Sequence, residues 1–275
     1  MEPFGNRPNS TLRSYDSGDS AQDSRRAARD AEELRKERGV IRIPDIAYAS
    51  SPDTDPRRQI LEIYLQEGLT DAPVVLYCAW RGWVRGDKRR SLFKPAALVP
   101  EGYLFASMNY RFRPEASLAE MAQDVATAAV WLWRNAAHYG GDGSKIALMG
   151  HSAGAHLVSA VGTNEAFMSE AGAALADLAC VVAIDTAMYN VPLQMQLAAA
   201  SQARAFGTDP AASMPVSPWH HIEPSKGIPP FLLLVTDGRP TMQQQVIPLV
   251  GKMQDAGIEA SAYEAAGRGH GPIDT

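Results

Sequence analysis

One stretch constrains the fold more than any other: an apolar run, a Gly-x-Ser-x-Gly pentapeptide and an Ala-rich segment follow one another. The pentapeptide is Gly150-His-Ser-Ala-Gly154. A serine presented for attack needs a sharp turn between a strand and a helix, and the two glycines remove the Cβ atoms that would collide there. The pattern therefore predicts a strand-turn-helix unit with Ser152 as the nucleophile. The N–H of Ala153, at the positive end of the helix, would then stabilise an oxyanion.

The composition excludes several classes of protein. A chain of 275 residues with 45% hydrophobic residues can bury one substantial core. The net charge is −5 and the basic residues are scattered, which argues against nucleic acid or an anionic membrane as a partner. We find neither a leader-like N-terminus nor an apolar run long enough to span a bilayer, so a cytoplasmic location is expected. Two cysteines do not make a disulfide framework and are expected to be buried thiols.

The chain is expected to divide near residue 39. Residues 1–38 are interpreted as a polar tail followed by a charged amphipathic helix over residues 16–38. Residues 39–275 are expected to form one domain. Within that domain the Pro-rich stretch 186–230 is longer than a simple crossover, and long irregular insertions are often functional. We expect it to form part of the wall of the substrate pocket.

Strand-like and helix-like patterns alternate through the domain. An antiparallel hairpin at the sheet edge is predicted first, and the later strands alternate with amphipathic helices, which indicates a doubly wound, mostly parallel α/β sheet flanked by helices. Ligands bind such sheets at the carboxyl ends of the strands. The predicted strands are 40–48, 59–66, 72–79, 102–110, the run before the pentapeptide, 178–184, 231–235 and 260–265, and the predicted helices are 91–98, 117–139, the segment after Ser152, and 242–256.

A serine hydroxyl needs a general base, and the base needs an acceptor that fixes its tautomer. In strand-turn-helix hydrolases these groups follow the serine in the order acid, then histidine. His270 lies in a glycine-rich loop after the last strand and is the predicted base. Asp237, which follows the strand before it, is the predicted acid, with Asp185 as the alternative. His156, His220 and His221 are expected to be mainly structural.

Several motifs together resemble one family. They are Gly150–His156, Trp83–Lys88, Met108–Phe112, Asp124 and Gly267–Gly271. In this combination the chain, from about Val40 to Pro272, is similar to the esterase/lipase branch of the α/β-hydrolases, which includes bacterial carboxylesterases and kynurenine formamidases. The resemblance implies an α/β-hydrolase fold, with residues 1–38 as an N-terminal helical extension. Relatives continue past the position of Thr275 into a further helix, so the His270 loop is expected to be loosely held.

The resemblance also identifies the loop that should complete the oxyanion hole. Members of the family usually have His-Gly-Gly-Gly-Trp there, whereas this chain has Ala79-Trp-Arg-Gly-Trp83. By analogy, the backbone N–H groups of Arg81 and Gly82 are expected to assist Ala153. Glycine is used in this loop because the backbone must approach the substrate closely, so a side chain at position 80 or 81 strains or reshapes the loop.

The expected activity is cleavage of carboxylic esters with short acyl groups or aryl leaving groups, through an acyl-enzyme, without cofactor or metal. The expected partner is a small ester substrate. The sequence does not decide whether the chain forms a homodimer. Two alternatives remain: an arylformamidase acting on an N-formyl aromatic, and a hydrolase-like protein that binds a ligand without catalysis. Four residues are predicted to contact substrate, and the aromatic ones among them would suit a planar molecule: Trp80, Trp83, Tyr110 and His151.

Overall fold

A computed structural model describes residues 21–52, 54–79, 82–197, 210–238 and 240–274. Its centre is an eight-stranded sheet in the order β1-β2-β4-β3-β5-β6-β7-β8. The strands are Ile41–Ala47, Ile60–Leu65, Ala72–Cys78, Leu104–Met108, Gly141–His151, Leu178–Ile184, Phe231–Thr236 and Ala260–Ala265, numbered β1 to β8. Only the pairings of β1 with β2 and of β2 with β4 are antiparallel. The prediction of a mostly parallel sheet with an antiparallel hairpin at its edge is confirmed.

Helices lie on both faces of the sheet, as the alternating pattern predicted. They are numbered in chain order: Ala21–Glu37, Lys94–Leu98, Leu118–Asn135, Ala153–Thr163, Glu165–Ala171, Val191–Leu197, Pro210–Ser213 and Ile247–Asp255, α1 to α8. A single π-helical turn, Met242–Val246, precedes α8. Short 3-10 turns complete several connections, and the last of them is Pro272–Asp274. None of the helices in these ranges is both long enough and apolar enough to cross a bilayer.

The main core lies between the sheet and the helices α3 and α4. α3 begins with a capping box in which Ser117 and Glu120 bond each other's backbone N–H groups, and it buries an apolar face that includes Met121 and Val125. Asp124 interrupts that face, although it is only 2% exposed. Its carboxylate accepts hydrogen bonds from Gln59 and from Arg111, which compensate for the loss of water. This network fastens the hairpin to α3.

A smaller cluster covers the other face of the sheet, beneath α1 and α2. It includes Tyr64, Val75, Tyr77 and Phe105. The charged helix predicted over residues 16–38 is α1 where it is described, and its Ala31 is buried. The first five residues of that prediction lie outside the described ranges.

The strand that leads to Ser152 begins within the glycine-rich segment 140–143. Gly141 and Asp142 already pair with Ala72 and Pro73 of β3, so β5 begins four residues before Lys145. A Cβ on Gly141 would lie 2.9 Å from a methyl group of Leu104 and 3.1 Å from Ala136 and Val74, so there is little space for a larger residue at this point.

The insertion is held against the domain by its 3-10 turns. Asn164 donates to the carbonyl of Pro215 at 2.9 Å, and the ring nitrogen Nε2 of His156 contacts the carbonyl of Val216 at 2.6 Å. Asn164 directly follows the last residue of α4, and His156 is a buried residue within that helix. Residues 198–209 are outside the described ranges, and the insertion's role as a pocket wall stays a prediction.

Candidate active site

Ser152 occupies the sharp turn between β5 and α4. Its φ of 55° lies in the left-handed region, which is strained for a residue with a side chain. The turn needs both flanking glycines. A Cβ on Gly150 would lie 2.5 Å from the backbone of Gly154, and one on Gly154 would lie 2.1 Å from the carbonyl oxygen of Cys78. The strand, the helix and the tight turn that the pentapeptide predicted are therefore all present.

Three side chains form a continuous hydrogen-bonded chain at the carboxyl ends of the parallel strands. The Nε2 atom of His270 lies 3.0 Å from the Oγ atom of Ser152. Its Nδ1 atom lies 2.5 Å from the Oδ2 atom of Asp185. These distances allow His270 to take a proton from the serine while the carboxylate holds the ring in one tautomer and supports its charged form. Ser152 and His270, which the sequence paired, are brought together.

The carboxylate on His270 is Asp185, the alternative in the sequence prediction, and the expectation that Asp237 lies there is wrong in the structure. Asp185 follows β6, the direct neighbour of β5, and is 1% exposed. Its other oxygen, Oδ1, accepts hydrogen bonds from the N–H and the hydroxyl of Thr236, at 3.3 and 3.1 Å. Asp237 lies in an exposed turn and accepts the N–H of Gly267 at 2.8 Å. It holds the start of the His270 loop rather than the histidine ring.

The oxyanion-hole residues are described only in part. Ala153 is buried and is the first residue of α4, so its N–H is one of those that the helix ladder leaves unused. Gly82 is exposed and has a φ of +63°, a conformation that glycine adopts without strain. Arg81 and Trp80 lie outside the described residues. The assistance of Arg81 and Gly82 to Ala153 therefore stays a prediction.

The structure buries three residues that were expected to contact substrate. Tyr110 is 1% exposed, and its hydroxyl contacts the carbonyl of Ala79 at 3.3 Å. Trp83 is 9% exposed and meets the ring of His156 edge-on at 5.6 Å between centroids. His151 is fully buried. The prediction is corrected for all three: they are packing residues here, because aromatic and imidazole rings serve equally well in a core and in a pocket. The argument for a planar N-formyl substrate loses the support of Trp83 and Tyr110, and the prediction for Trp80 falls outside the described residues.

His151 packs against His270, the predicted base. The two rings are 4.7 Å apart between centroids, with an angle of 40° between their planes. Burial lowers the pKa of His151 to about 4, against the opposing attraction of Asp274, so the ring is neutral near pH 7. A neutral neighbour does not repel a positive charge on the His270 ring. His151 is thus a support for His270 in this structure.

The lowered pKa values of two buried histidines, His151 and His156, predict how the stability of the fold depends on pH. Burial also lowers the pKa of His156 to about 4, despite the hydrogen bond with Val216. A histidine that is neutral when buried takes up a proton in the unfolded chain below about pH 6.5, so stability falls as the pH drops from 6.5 towards 4. The loss is at most about 3 kcal/mol for each ring. We expect the melting temperature to fall markedly between pH 7 and pH 5.

The His156→Gln variant tests this dependence, because glutamine keeps a donor near Val216 but does not titrate. We expect its melting temperature to fall less than that of the wild type between the two pH values. The matched control is His138→Gln, since His138 is exposed. Equal pH dependence of His156→Gln and the wild type would contradict the assignment of the effect to His156.

The site also contains a set of atoms with the spacing of metal ligands. One ligand atom from each of His151, Asp185 and His270 lies within 4.8 Å of the others. His270 and Asp185 already bond each other, and the remaining nitrogen of His270 faces Ser152. A cation bound by His270 and Asp185 would compete with these hydrogen bonds. The arrangement therefore favours proton transfer over metal binding.

The protein also resembles solved structures along most of its length. A putative thioesterase from Silicibacter sp. TM1040 matches with a TM-score of 0.70 and 23% identity, over 94% of this chain and 89% of the other. Esterase B from Lactobacillus rhamnosis with a C6-C4 SN3 inhibitor matches with a TM-score of 0.68 and 20% identity, over 89% and 83%. At these identities the likeness shows the fold, which is that of the α/β-hydrolases.

Sequence comparison points to the same group of proteins. A probable isoprenylcysteine alpha-carbonyl methylesterase from Arabidopsis thaliana is 32% identical over 115 residues, 42% of this chain and 23% of the relative. Esterase LipQ from Mycobacterium tuberculosis is 29% identical over 141 residues, 46% and 34%. The matched part thus spans about a quarter to a third of these relatives. The BD-FAE family model matches residues 61–240, well over half of the chain. The chain belongs to the BD-FAE family and has the α/β-hydrolase fold.

Proposed function

We propose that this protein is a carboxylesterase-type serine hydrolase that cleaves small carboxylic esters through an acyl-enzyme. One observation carries the proposal: the hydrogen-bonded chain from Ser152 through His270 to the buried Asp185, with contacts of 3.0 and 2.5 Å. A serine on a strand-to-helix turn, a histidine within reach of it and a carboxylate on the far ring nitrogen are the parts that acyl transfer requires. Relatives named as esterases and methylesterases support an ester as the substrate class.

Each residue has a defined step. The Oγ atom of Ser152 attacks the ester carbonyl carbon while its proton passes to Nε2 of His270. The carbonyl oxygen becomes an oxyanion near the N–H of Ala153, with the backbone of Gly82 and Arg81 as the further donors that family resemblance suggests. His270 then returns the proton to the leaving alkoxide, so the alcohol departs and an acyl-serine remains. Water, deprotonated by the same histidine, releases the acid and restores the serine.

The proposed substrates are esters with a short acyl group or an aryl leaving group. The predicted oxyanion loop has Trp80 and Arg81 where members of the family usually have glycines, and we expect these larger side chains to limit the size of the substrate. p-Nitrophenyl acetate and butyrate are therefore suitable first substrates. An N-formyl aromatic compound is the comparison substrate, because it requires the same acyl-transfer chemistry.

A fluorophosphonate probe tests the proposal directly. It forms a covalent adduct only with a serine that a nearby base activates. We expect one adduct, mapped by mass spectrometry to the peptide with Ser152, together with turnover of p-nitrophenyl acetate. The His270→Ala variant should label far more slowly, because the base is removed while the serine remains. An unlabelled Ser152 and no ester turnover in the folded wild type would instead support a protein that binds without catalysis.

A further inference from the structure

A buried carboxylate lies four residues after the catalytic histidine and is not part of the triad. It belongs to Asp274, in the 3-10 turn Pro272–Asp274, and it is 4% exposed. A charge removed from water is tolerated only where a counter-charge and hydrogen bonds replace the water. The contacts of Asp274 therefore show what this turn is fastened to.

Asp274 contacts two residues from different elements on the smaller-core side of the sheet. Nζ of Lys94, in α2, lies 2.7 Å from Oδ1 of Asp274, and the same amino group donates to the backbone carbonyl of that residue. The hydroxyl of Tyr77, in β3, lies 2.8 Å from Oδ2. Lys94 also lies over the Tyr77 ring, 4.8 Å from its centroid. Tyr77 is fully buried and the Lys94 side chain is 13% exposed, so these contacts are shielded from water.

The same carboxylate faces the back of the active site. Its Oδ2 atom is 3.6 Å from Nδ1 of His151, the buried ring that packs on His270. The turn is short and internally bonded, since Ile273 donates to the carbonyl of Gly269 at 3.0 Å and Asp274 donates to that of Gly271 at 3.1 Å. A displacement of Asp274 would therefore be transmitted to His270 through only a few bonded residues and through the His151 ring.

We infer that Asp274, held by Lys94 and Tyr77, is a positioning residue that keeps His270 in reach of Ser152. The inference rests on the proposed function, because it assigns a task within that same site. Asp237 holds the beginning of the loop at Gly267, and Asp274 holds its end. The loop that the sequence suggested to be loose is thus fastened on both sides of the histidine. A misplacement of about 1 Å in a catalytic group can lower turnover about 100-fold, so such an anchor has a measurable effect.

The Asp274→Asn variant tests the inference. Asparagine keeps the shape of the side chain but removes the negative charge that pairs with Lys94 and accepts the hydroxyl of Tyr77. We expect kcat for p-nitrophenyl acetate to fall about 10- to 100-fold, with KM changed less than threefold, since the substrate contacts are untouched. Amide hydrogen exchange over residues 267–274 should accelerate. The rate at which the fluorophosphonate labels Ser152 should fall by about the same factor as kcat.

Glu62→Gln is a matched control for a purely structural effect. Glu62 is also a fully buried carboxylate with a tyrosine and a cation on it, Tyr64 at 2.5 Å and Arg42 at 2.7 Å, but it lies in β2 away from the His270 loop. Its variant should lose stability without a fall in kcat for the folded enzyme and without faster exchange over residues 267–274. Equal kcat in Asp274→Asn and Glu62→Gln, both measured well below their melting temperatures, would overturn the inference.

A milder variant covers the case in which Asp274→Asn does not fold. Tyr77→Phe removes a single hydroxyl from the same carboxylate, and we expect a threefold to tenfold lower kcat with faster exchange over residues 267–274. Unchanged kcat and exchange in Tyr77→Phe would overturn the inference in that case. Failure of the proposed function gives a different result, because the wild type itself would then show neither turnover nor labelling while the hydrogen-exchange comparison still tests the anchor.

Discussion

Replacing Ser152 with alanine is expected to lower ester turnover by roughly 10⁴-fold or more while the protein stays folded. The large effect follows because no other group in the triad can form the acyl-enzyme, and loss of a triad nucleophile removes several orders of magnitude of rate. Stability should change little. The serine hydroxyl lies against His270 at 3.0 Å, and alanine at a φ of 55° is strained no more than serine is.

Steady-state kinetics on p-nitrophenyl acetate and a thermal melt, made on the same sample, check this expectation. Ser159→Ala is the matched control: Ser159 lies in α4, the helix that follows Ser152, is fully buried, and donates its hydroxyl to the carbonyl of Ala155 at 2.7 Å. Turnover in that variant should equal that of the wild type. A Ser152→Ala enzyme that keeps more than about a tenth of the activity would show that another group is the nucleophile.

The second large effect is expected from Asp185→Asn, which should reduce kcat by about 10⁴-fold with little change in KM. An amide in place of the carboxylate favours the wrong tautomer of His270, and it no longer stabilises the charged ring that forms during proton transfer. Asp185 contacts Nδ1 of His270 directly, at 2.5 Å, so its loss should act on the ring itself. The melting temperature should also fall, because the oxygen that accepts from Thr236 is buried.

Asp237→Asn is the matched control for that variant, since both aspartates follow neighbouring strands of the sheet. Asparagine keeps an oxygen that can accept the N–H of Gly267, so the effect on kcat should stay below about tenfold. Kinetics on the two variants under one set of conditions decide between the two acids. A greater loss in Asp237→Asn than in Asp185→Asn would mean that the loop rearranges in solution and that Asp237 is the acid.

Local sequence patterns were sufficient to predict the sharp turn at Ser152 and most strands of the sheet. The Gly-x-Ser-x-Gly turn is decided by clearances within a few residues: side chains at Gly150 or Gly154 would meet backbone atoms at 2.5 and 2.1 Å. Periodicity predicted the strands and helices because each element needs one apolar face or one apolar run, and neighbouring residues record that need. The pairing of Ser152 with His270 followed from the order in which parallel strands bring their carboxyl ends to one edge.

The choice of the acid could not be made in this way. Asp185 and Asp237 both come directly after a strand at the same edge, so strand order alone admits either. The decision lies in the turns. The backbone of Asp185 has a φ of 50° and its carboxylate points inward to His270, whereas Asp237 lies in an exposed turn. Such directions depend on how three strands and a distant loop pack, and no local pattern records them.

The tertiary structure likewise decided which aromatic and imidazole side chains are buried, and which charged residues far apart in sequence form a pair. Tyr110, Trp83 and His151 were open to a core or a pocket role, because their side chains are amphipathic. Asp274 and Lys94 are separated by 180 residues, and neither stands out in the sequence as a partner of the other. The sequence by itself determined most of the strands and helices, the sharp turn at Ser152 and the prediction that Ser152 and His270 come together. Which carboxylate orients the base, and what anchors the loop that carries it, are contacts between distant segments that exist only once the sheet is assembled.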